Sequence, residues 1–128
     1  MSRVSGKETK TEILVRKSLF SLGFRFRKND PRYPGKPDII LPKFQTAIFI
    51  HGCFWHGHEN CKHSTLPSSN TKYWKEKINN NIIRDKRNID ELHEHGWKTI
   101  VIWGCEIETI DKREIRLKSL AKELKNID

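Results

Sequence analysis

The stretch DIILPKFQTAIFIH, residues 38–51, contains two runs of β-branched, aliphatic and aromatic residues separated by Pro42 and a short polar turn. Residues 38–41 and 46–51 are therefore predicted to form the two strands of a hairpin. Asp38 opens the first strand and His51 closes the second. In α/β proteins, functional sites tend to form at strand ends, so both residues are candidates for a site.

The flanking sequence predicts helices on either side of this hairpin. Val15, Leu19 and Leu22 recur at helical spacing before Gly23, and Ile78, Ile82, Ile89 and Leu92 form a similar stripe before Gly96. The predicted elements are a helix over 11–22, a strand over 24–27, a helix over 73–95, a strand over 98–103 and a helix over 112–125. This order predicts a small α/β sandwich with a mixed sheet.

Length and charge narrow the class of protein. The 128 residues fit one domain, and 25 basic against 16 acidic residues give a formal charge of +9. Nucleic acid is the leading partner, the alternative being a basic surface that only aids solubility. The sequence shows neither an apolar signal stretch nor a membrane span, which predicts a cytoplasmic protein. In that reducing compartment, three cysteines indicate a metal site or simple burial rather than disulfides.

The run from residue 51 to 61, HGCFWHGHENC, is rich in metal ligands. Cys53, His58 and Cys61 can surround one zinc ion, and Cys105, just after a later strand, is the natural fourth ligand. His56 or His63 could replace His58 in this set. The alternative is three reduced thiols without a metal.

Asp38 indicates a second metal, because a carboxylate at the start of a strand can hold a hard cation such as magnesium. The backbone carbonyl of Ile50 and water molecules could complete its coordination. His51 and His56, beside the end of the strand, are the candidates for proton transfer. Such an arrangement is suited to cleaving a phosphodiester.

Two acidic residues, Glu12 and Asp85, lie on otherwise apolar helical stripes, where an unpaired carboxylate is costly. Each could form an ion pair with a neighbouring lysine or arginine, or could orient the histidines and the water ligands of the metal.

Phe54 and Trp55 are adjacent aromatics in the glycine-containing loop, and Trp74 begins the long helix. These rings could insert between stacked bases and open a duplex, or they could simply pack over the metal loop. The two interpretations are nearly balanced on the sequence alone.

Several spaced motifs together resemble the very-short-patch-repair mismatch endonucleases, over nearly the whole chain. They are Pro34-Gly35-Lys36-Pro37-Asp38, His51-Gly52-Cys53-Phe54-Trp55-His56, Tyr73-Trp74, Asn81, Arg84-Asp85, Gly96-Trp97 and Trp103-Gly104-Cys105-Glu106.

This resemblance implies a restriction-endonuclease-like fold, a three-layer sandwich with a central mixed sheet and a structural zinc loop, over a single domain of residues 1–128. It implies a magnesium-dependent enzyme that nicks one DNA strand beside a thymine-guanine mismatch left by deamination of 5-methylcytosine. The implied roles are magnesium ligation by Asp38 and the Ile50 carbonyl, proton transfer by His56 with His51, Glu12 and Asp85 in support, zinc ligation by Cys53, His58, Cys61 and Cys105, and duplex opening by Phe54, Trp55 and Trp74.

The resemblance also leads to expectations about the N-terminus and about partners. Met1 matches a methionine that wedges into the minor groove, and the N-terminal arm that clamps DNA is expected to be absent or very short. A monomer acting on nucleoid DNA is expected, with mismatch-repair proteins as possible partners. Two alternatives are a nicking or restriction-type endonuclease without mismatch preference and a non-catalytic, zinc-stabilised DNA-binding module.

Overall fold

The chain folds around a four-stranded mixed sheet with three α-helices, as seen in a computed structural model that describes residues 10–28 and 30–125. The elements in chain order are α1 (Lys10–Ser21), β1 (Arg27–Lys28), β2 (Ile39–Leu41), β3 (Thr46–His51), α2 (Thr71–Glu94), β4 (Lys98–Trp103) and α3 (Ile110–Lys125). Short 3₁₀ turns span Pro42–Phe44, Lys62–Ser64 and Gly104–Ile107. The predicted α/β class and the predicted order of elements are confirmed.

The strands lie in the order β1-β2-β3-β4. The β2–β3 pair is antiparallel, as the predicted hairpin requires, because only a few residues separate the two strands. The β3–β4 pair is parallel and in register from Thr46 with Lys98 to His51 with Trp103. Parallel neighbours need a long crossover, and α2 with the loop before it supplies that connection.

Alternate residues of the strands face two separate apolar clusters, one on each side of the sheet. Ile39, Leu41 and Ile48 pack against α1 and α3, while Ile40, Ala47 and Phe49 pack against Leu92 of α2. The sheet is therefore a middle layer with helices on both faces. The sequences of β2 and β3 are continuous apolar runs because neither face of these strands is exposed to water.

Three local expectations were wrong. The strand expected over 24–27 is reduced to Arg27–Lys28, and Phe24 lies in the core before it. Leu22, assigned to the apolar stripe of the first helix, follows the end of α1 and is 52% exposed. Ile82, assigned to the apolar stripe of the long helix, is 41% exposed on α2. Leu22 and Ile82 are apolar but lie outside the core, whereas Phe24 reaches the core from a segment that is not a strand.

Among the described residues, no helix has the length and apolar character to cross a membrane.

Candidate active site and metal centre

A cavity of about 450 Å³ opens where β2 begins and β3 ends, beside α1 and α2. Its walls include all five of the predicted catalytic residues, which come from distant parts of the chain: Glu12, Asp38, His51, His56 and Asp85. Ile50 also lines it. We call this group of five side chains the carboxylate–histidine cavity. The structure thus brings the predicted catalytic residues together.

Asp38 is fixed at the cavity wall by the backbone of β3. The N–H of Ile50 donates a hydrogen bond of 2.7 Å to Asp38 Oδ2, which leaves Oδ1 outside this bond. Burial raises the pKa of the Asp38 carboxyl, against the opposing effects of the Ile50 hydrogen bond, a hydrogen bond with Glu12 and the positive charge of Arg16. A buried carboxyl of this kind is stabilised in its charged form by a cation.

Glu12 reaches the same cavity from α1. It lies 3.8 Å from the guanidinium of Arg16, one helical turn later, and both side chains are largely buried. Glu12 therefore forms an ion pair with an arginine, one of the two alternatives left open by the sequence, and it also lies beside Asp38.

His56 is oriented by Asp85. Their Nδ1 and Oδ2 atoms are 2.6 Å apart, and Asp85 Oδ1 lies 3.4 Å from Arg84. Burial raises the pKa of the Asp85 carboxyl, but the hydrogen bond with His56 and nearby positive charge outweigh it and hold that pKa below its usual value. An ionised carboxylate can only accept, so Nδ1 of His56 carries the hydrogen. Nε2 of a neutral His56 is then the basic nitrogen.

His51 stacks on His56 with the two ring centroids 3.8 Å apart and the planes 4° from parallel. Burial, and then the proximity of His56, lower the pKa of His51 to about 4, so its ring is neutral near pH 7. Its Nδ1 is buried without a hydrogen-bond partner among the described residues. A neutral ring at this distance allows His56 to accept a proton without facing a second positive charge.

The four predicted zinc ligands also converge, in what we call the cysteine–histidine cluster: Cys53, His58, Cys61 and Cys105. Their ligand atoms all lie within 4.8 Å of one another, and Cys105 Sγ is 3.5 Å from Nδ1 of His58. Zinc–sulfur bonds of about 2.3 Å in a tetrahedron place sulfurs about 3.8 Å apart. Three sulfurs and one imidazole nitrogen at this spacing fit zinc. A further group, His51, His56 and Asp85, is equally close, but the His56–Asp85 hydrogen bond accounts for its spacing.

The thiols of the cluster differ in acidity. Burial raises the pKa of Cys53, and burial together with the neighbouring thiols raises that of Cys105 to about 12. The backbone N–H of His63, by contrast, holds the pKa of Cys61 below its usual value. Metal binding must displace the protons of these thiols, since zinc binds thiolates.

The loop between the two sites is held closely against α2 and β4. The His58 ring stacks on Trp103 at 4.1 Å, and Gly57 adopts the left-handed conformation with φ +62°. A Cβ at Gly57 would lie 2.6 Å from Ile82 Cδ1. Glycine therefore permits both the turn and the close approach to α2.

Phe54, Trp55 and Trp74 contact one another with ring centroids 5.2, 5.5 and 5.6 Å apart, and we call them the aromatic triangle. Trp55 is 38% exposed and the other two rings are half-buried. Asn81 donates a hydrogen bond of 2.9 Å to the Trp55 carbonyl. The rings pack together and still present an exposed indole. Met1, the remaining predicted DNA contact, lies outside the described residues.

Some residues of the site received no role in the sequence analysis. Lys36, Arg84 and Asn88 line the carboxylate–histidine cavity, and of these Lys36 and Arg84 lie within the motifs of the resemblance. His63, left as a solvated residue or an alternative zinc ligand, pairs with Glu108 at 3.0 Å. No periodicity marks such contacts, because they join residues far apart in sequence.

Comparison with known proteins identifies the family. The family model described as DNA mismatch endonuclease Vsr matches residues 1–63. The chain is 52% identical over 126 residues to the type II nicking enzyme V.NmeAIP of Neisseria meningitidis serogroup A, covering 98% of this chain and 89% of that protein. It is 42% identical to the type II nicking enzyme V.XorIIP of Xanthomonas oryzae, covering 94% and 88%. It is 36% identical to the DNA mismatch endonuclease Vsr of Escherichia coli K12, covering 88% and 71%. The chain therefore belongs to the Vsr family of DNA endonucleases.

Proposed function

We propose that this enzyme nicks one strand of duplex DNA beside a thymine-guanine mismatch, in a magnesium-dependent reaction that initiates very short patch repair. The observation that carries the proposal is the carboxylate–histidine cavity, in which a partly buried Asp38 and a carboxylate-oriented His56 face one space. The names of the relatives support it, since one is a mismatch endonuclease and others are nicking enzymes. The mismatch would be the one left when 5-methylcytosine loses its amino group.

Asp38 and the carbonyl of Ile50 are the proposed magnesium ligands. The N–H and C=O of a residue in a strand point to the same edge. Because the Ile50 N–H points to Asp38, the Ile50 carbonyl faces the same side, beyond the start of β2. These oxygens, with waters and phosphate oxygens, suit a hard cation. When bound, magnesium would neutralise charge on the phosphate and lower the pKa of a water.

His56 is proposed to accept the proton from the attacking water at Nε2. Asp85 fixes the ring and stabilises the charged form that results, as the short Nδ1–Oδ2 distance suggests. His51 keeps the His56 ring in place by stacking, and Glu12 orients groups beside Asp38.

The cysteine–histidine cluster is proposed to hold a structural zinc ion, with all four positions taken by protein ligands. That ion would fix the loop carrying the aromatic triangle, whose rings we propose unstack the bases at the mismatch. The helices on both faces of the mixed sheet support a restriction-endonuclease-like fold within one domain, residues 1–128. We further propose a monomer that acts on nucleoid DNA in the cytoplasm and receives substrate from mismatch-repair proteins.

The test compares nicking of a thymine-guanine duplex with that of matched thymine-adenine and cytosine-guanine duplexes, with and without magnesium. The proposal expects nicking of one strand of the mismatched duplex only, and only with magnesium. Equal nicking of all three duplexes would instead identify a nicking endonuclease without mismatch preference. DNA binding without nicking of any duplex would identify a non-catalytic binding module.

A further inference from the structure

A second cleft, of about 780 Å³, adjoins the carboxylate–histidine cavity. It lies between the 31–36 loop and the end of α2, and its walls include Arg32, Tyr33, Lys36, Glu91, His95 and Trp97. Gly35 and Lys36 line both spaces. A DNA strand that runs from the second cleft into the cavity must therefore pass over Lys36.

The loop between the two spaces is held in one position. A Cβ at Gly35 would lie 3.0 Å from Asn88 Cβ of α2 and 3.1 Å from the Phe49 ring of β3, so the backbone contacts both elements closely. The N–H of Lys36 donates a hydrogen bond of 3.0 Å to the Tyr33 carbonyl. The Lys36 side chain consequently starts from a fixed backbone.

Lys36 has a backbone conformation that favours glycine. Its φ of +50° lies in the left-handed region, which is less favourable for a residue with a Cβ than for glycine. The side chain is exposed, so apolar packing does not offset this cost. Gln45, Asn60 and Asn70 share this backbone conformation, so it supports a functional use of Lys36 only together with the position of Lys36 at the border of the two spaces.

The chemistry of the second cleft suits a nucleotide backbone. Lys36 and Arg32 provide cations, and Asp30 holds Arg32 through Nε and Nη2, leaving Nη1 outside the pair. Tyr33 and Trp97 form an aromatic wall, with ring centroids 5.0 Å apart. Glu91 is the one carboxylate among its lining residues. A phosphodiester next to Lys36 would gain a charge-assisted contact.

We infer that the second cleft binds the nucleotide next to the cleaved bond on the same strand, with Lys36 contacting the phosphate that neighbours the cleaved one. This inference rests on the proposed function, since it requires the cleaved phosphate to occupy the carboxylate–histidine cavity. Lys36 then positions the strand at the border of the two spaces. Its contact is with the backbone, so it contributes affinity rather than base preference.

The test replaces Lys36 with glycine, which removes the cation and relieves the left-handed backbone. Gln45→Gly is the matched control, because Gln45 is also exposed and left-handed, with φ +47°, and lies in the β2–β3 turn outside both spaces. Duplex affinity is measured over a range of salt concentrations. For Lys36→Gly we expect weaker binding and a plot of log affinity against log salt that is shallower by about 0.9. Gln45→Gly should match the parent, and Lys36→Arg should restore the parent slope.

A substrate series locates the contact. One backbone phosphate at a time is replaced by a neutral methylphosphonate, and each duplex is bound to the parent and to Lys36→Gly. We expect the parent and Lys36→Gly to bind with equal affinity when a phosphate adjacent to the cleaved one is neutral. An unchanged salt slope in Lys36→Gly, or coupling only at the cleaved phosphate, overturns the inference while the parent still nicks. Failure of the parent to nick any duplex instead overturns the proposed function.

Discussion

The cysteine–histidine cluster and the carboxylate–histidine cavity both take residues from the same eleven-residue segment, 51–61. They differ in how completely their polar groups are paired with other groups of the protein. In the cluster, four donor atoms face one another and the nearby carbonyls are bonded by Ser64, at 3.1 Å to Cys53 and 2.7 Å to His58. In the cavity, His51 Nδ1 is buried without a hydrogen-bond partner among the described residues, and the five side chains surround a space of about 450 Å³. A closed donor set suits structure, whereas an open one leaves positions for water and substrate.

Changes in the two regions should therefore affect different quantities. Removing a ligand from the closed cluster should lower stability, and activity only as a consequence. Removing a group from the open cavity should lower the nicking rate and leave stability almost unchanged.

The largest expected effect is that of Cys105→Ser, which removes the cluster ligand contributed by the turn after β4. We expect purified protein to lose its single bound zinc ion and the melting temperature to fall by at least about 10 °C, because a structural zinc site stabilises its loop by several kcal/mol. Elemental analysis and thermal unfolding measure these quantities. His63→Gln is the control and should retain zinc. Zinc retained in Cys105→Ser, or lost in His63→Gln, would assign the ligands differently.

The next effect is that of Asp38→Asn in the cavity. We expect single-turnover nicking to fall at least about 1000-fold, because the proposed magnesium ligand loses its charge. The melting temperature should stay equal or rise, since the asparagine oxygen can still accept from Ile50 and no buried charge remains. Asp90→Asn, on the exposed face of α2, is the matched control, and we expect it to nick at the rate of the parent. A nicking rate near that of the parent in Asp38→Asn contradicts the magnesium assignment.

The smallest of the three effects concerns the His56–Asp85 pair. His56→Ala should slow nicking by about 10²-fold, the lower end of the contribution of a proton-transfer group, and Asp85→Asn by less. Because Asp85 acts through His56, the double variant should be no slower than His56→Ala alone. Rates measured for all four proteins test this. If the fold-decrease of the double variant equals the product of the two single fold-decreases, Asp85 acts independently of His56.

The architecture was predictable because each element has a local signal. Proline and a short turn mark the β2–β3 hairpin, and Gly23 and Gly96 mark the ends of α1 and α2. The length of β1 was not predictable, because β1 extends only as far as it pairs with β2 and no residue in its own sequence marks its ends. The exposure of Leu22 likewise depends on where α1 meets the sheet, which a helical stripe does not specify.

The membership of both sites was also predictable, from residue type and from the resemblance, but their internal geometry was not. The face-to-face stacking of His51 on His56 depends on the path of the loop at Gly57. The lining of the cavity by Lys36 depends on contacts of Gly35 with α2 and β3. Such contacts join residues between 14 and 53 positions apart only after the core has packed.

The in-register pairing of His51 with Trp103 has a consequence for the order of folding. β3 and β4 can pair only after the chain through α2 has closed a long loop, which is a slow, non-local step. Because the β2–β3 hairpin already fixes β3, a slip of one residue in β4 would turn Trp103 to the opposite face of the sheet and move Cys105 away from its partners. If the cysteine–histidine cluster holds zinc as proposed, the nascent chain should complete that site only after β4 has joined β3, which makes zinc uptake a late event in its biogenesis.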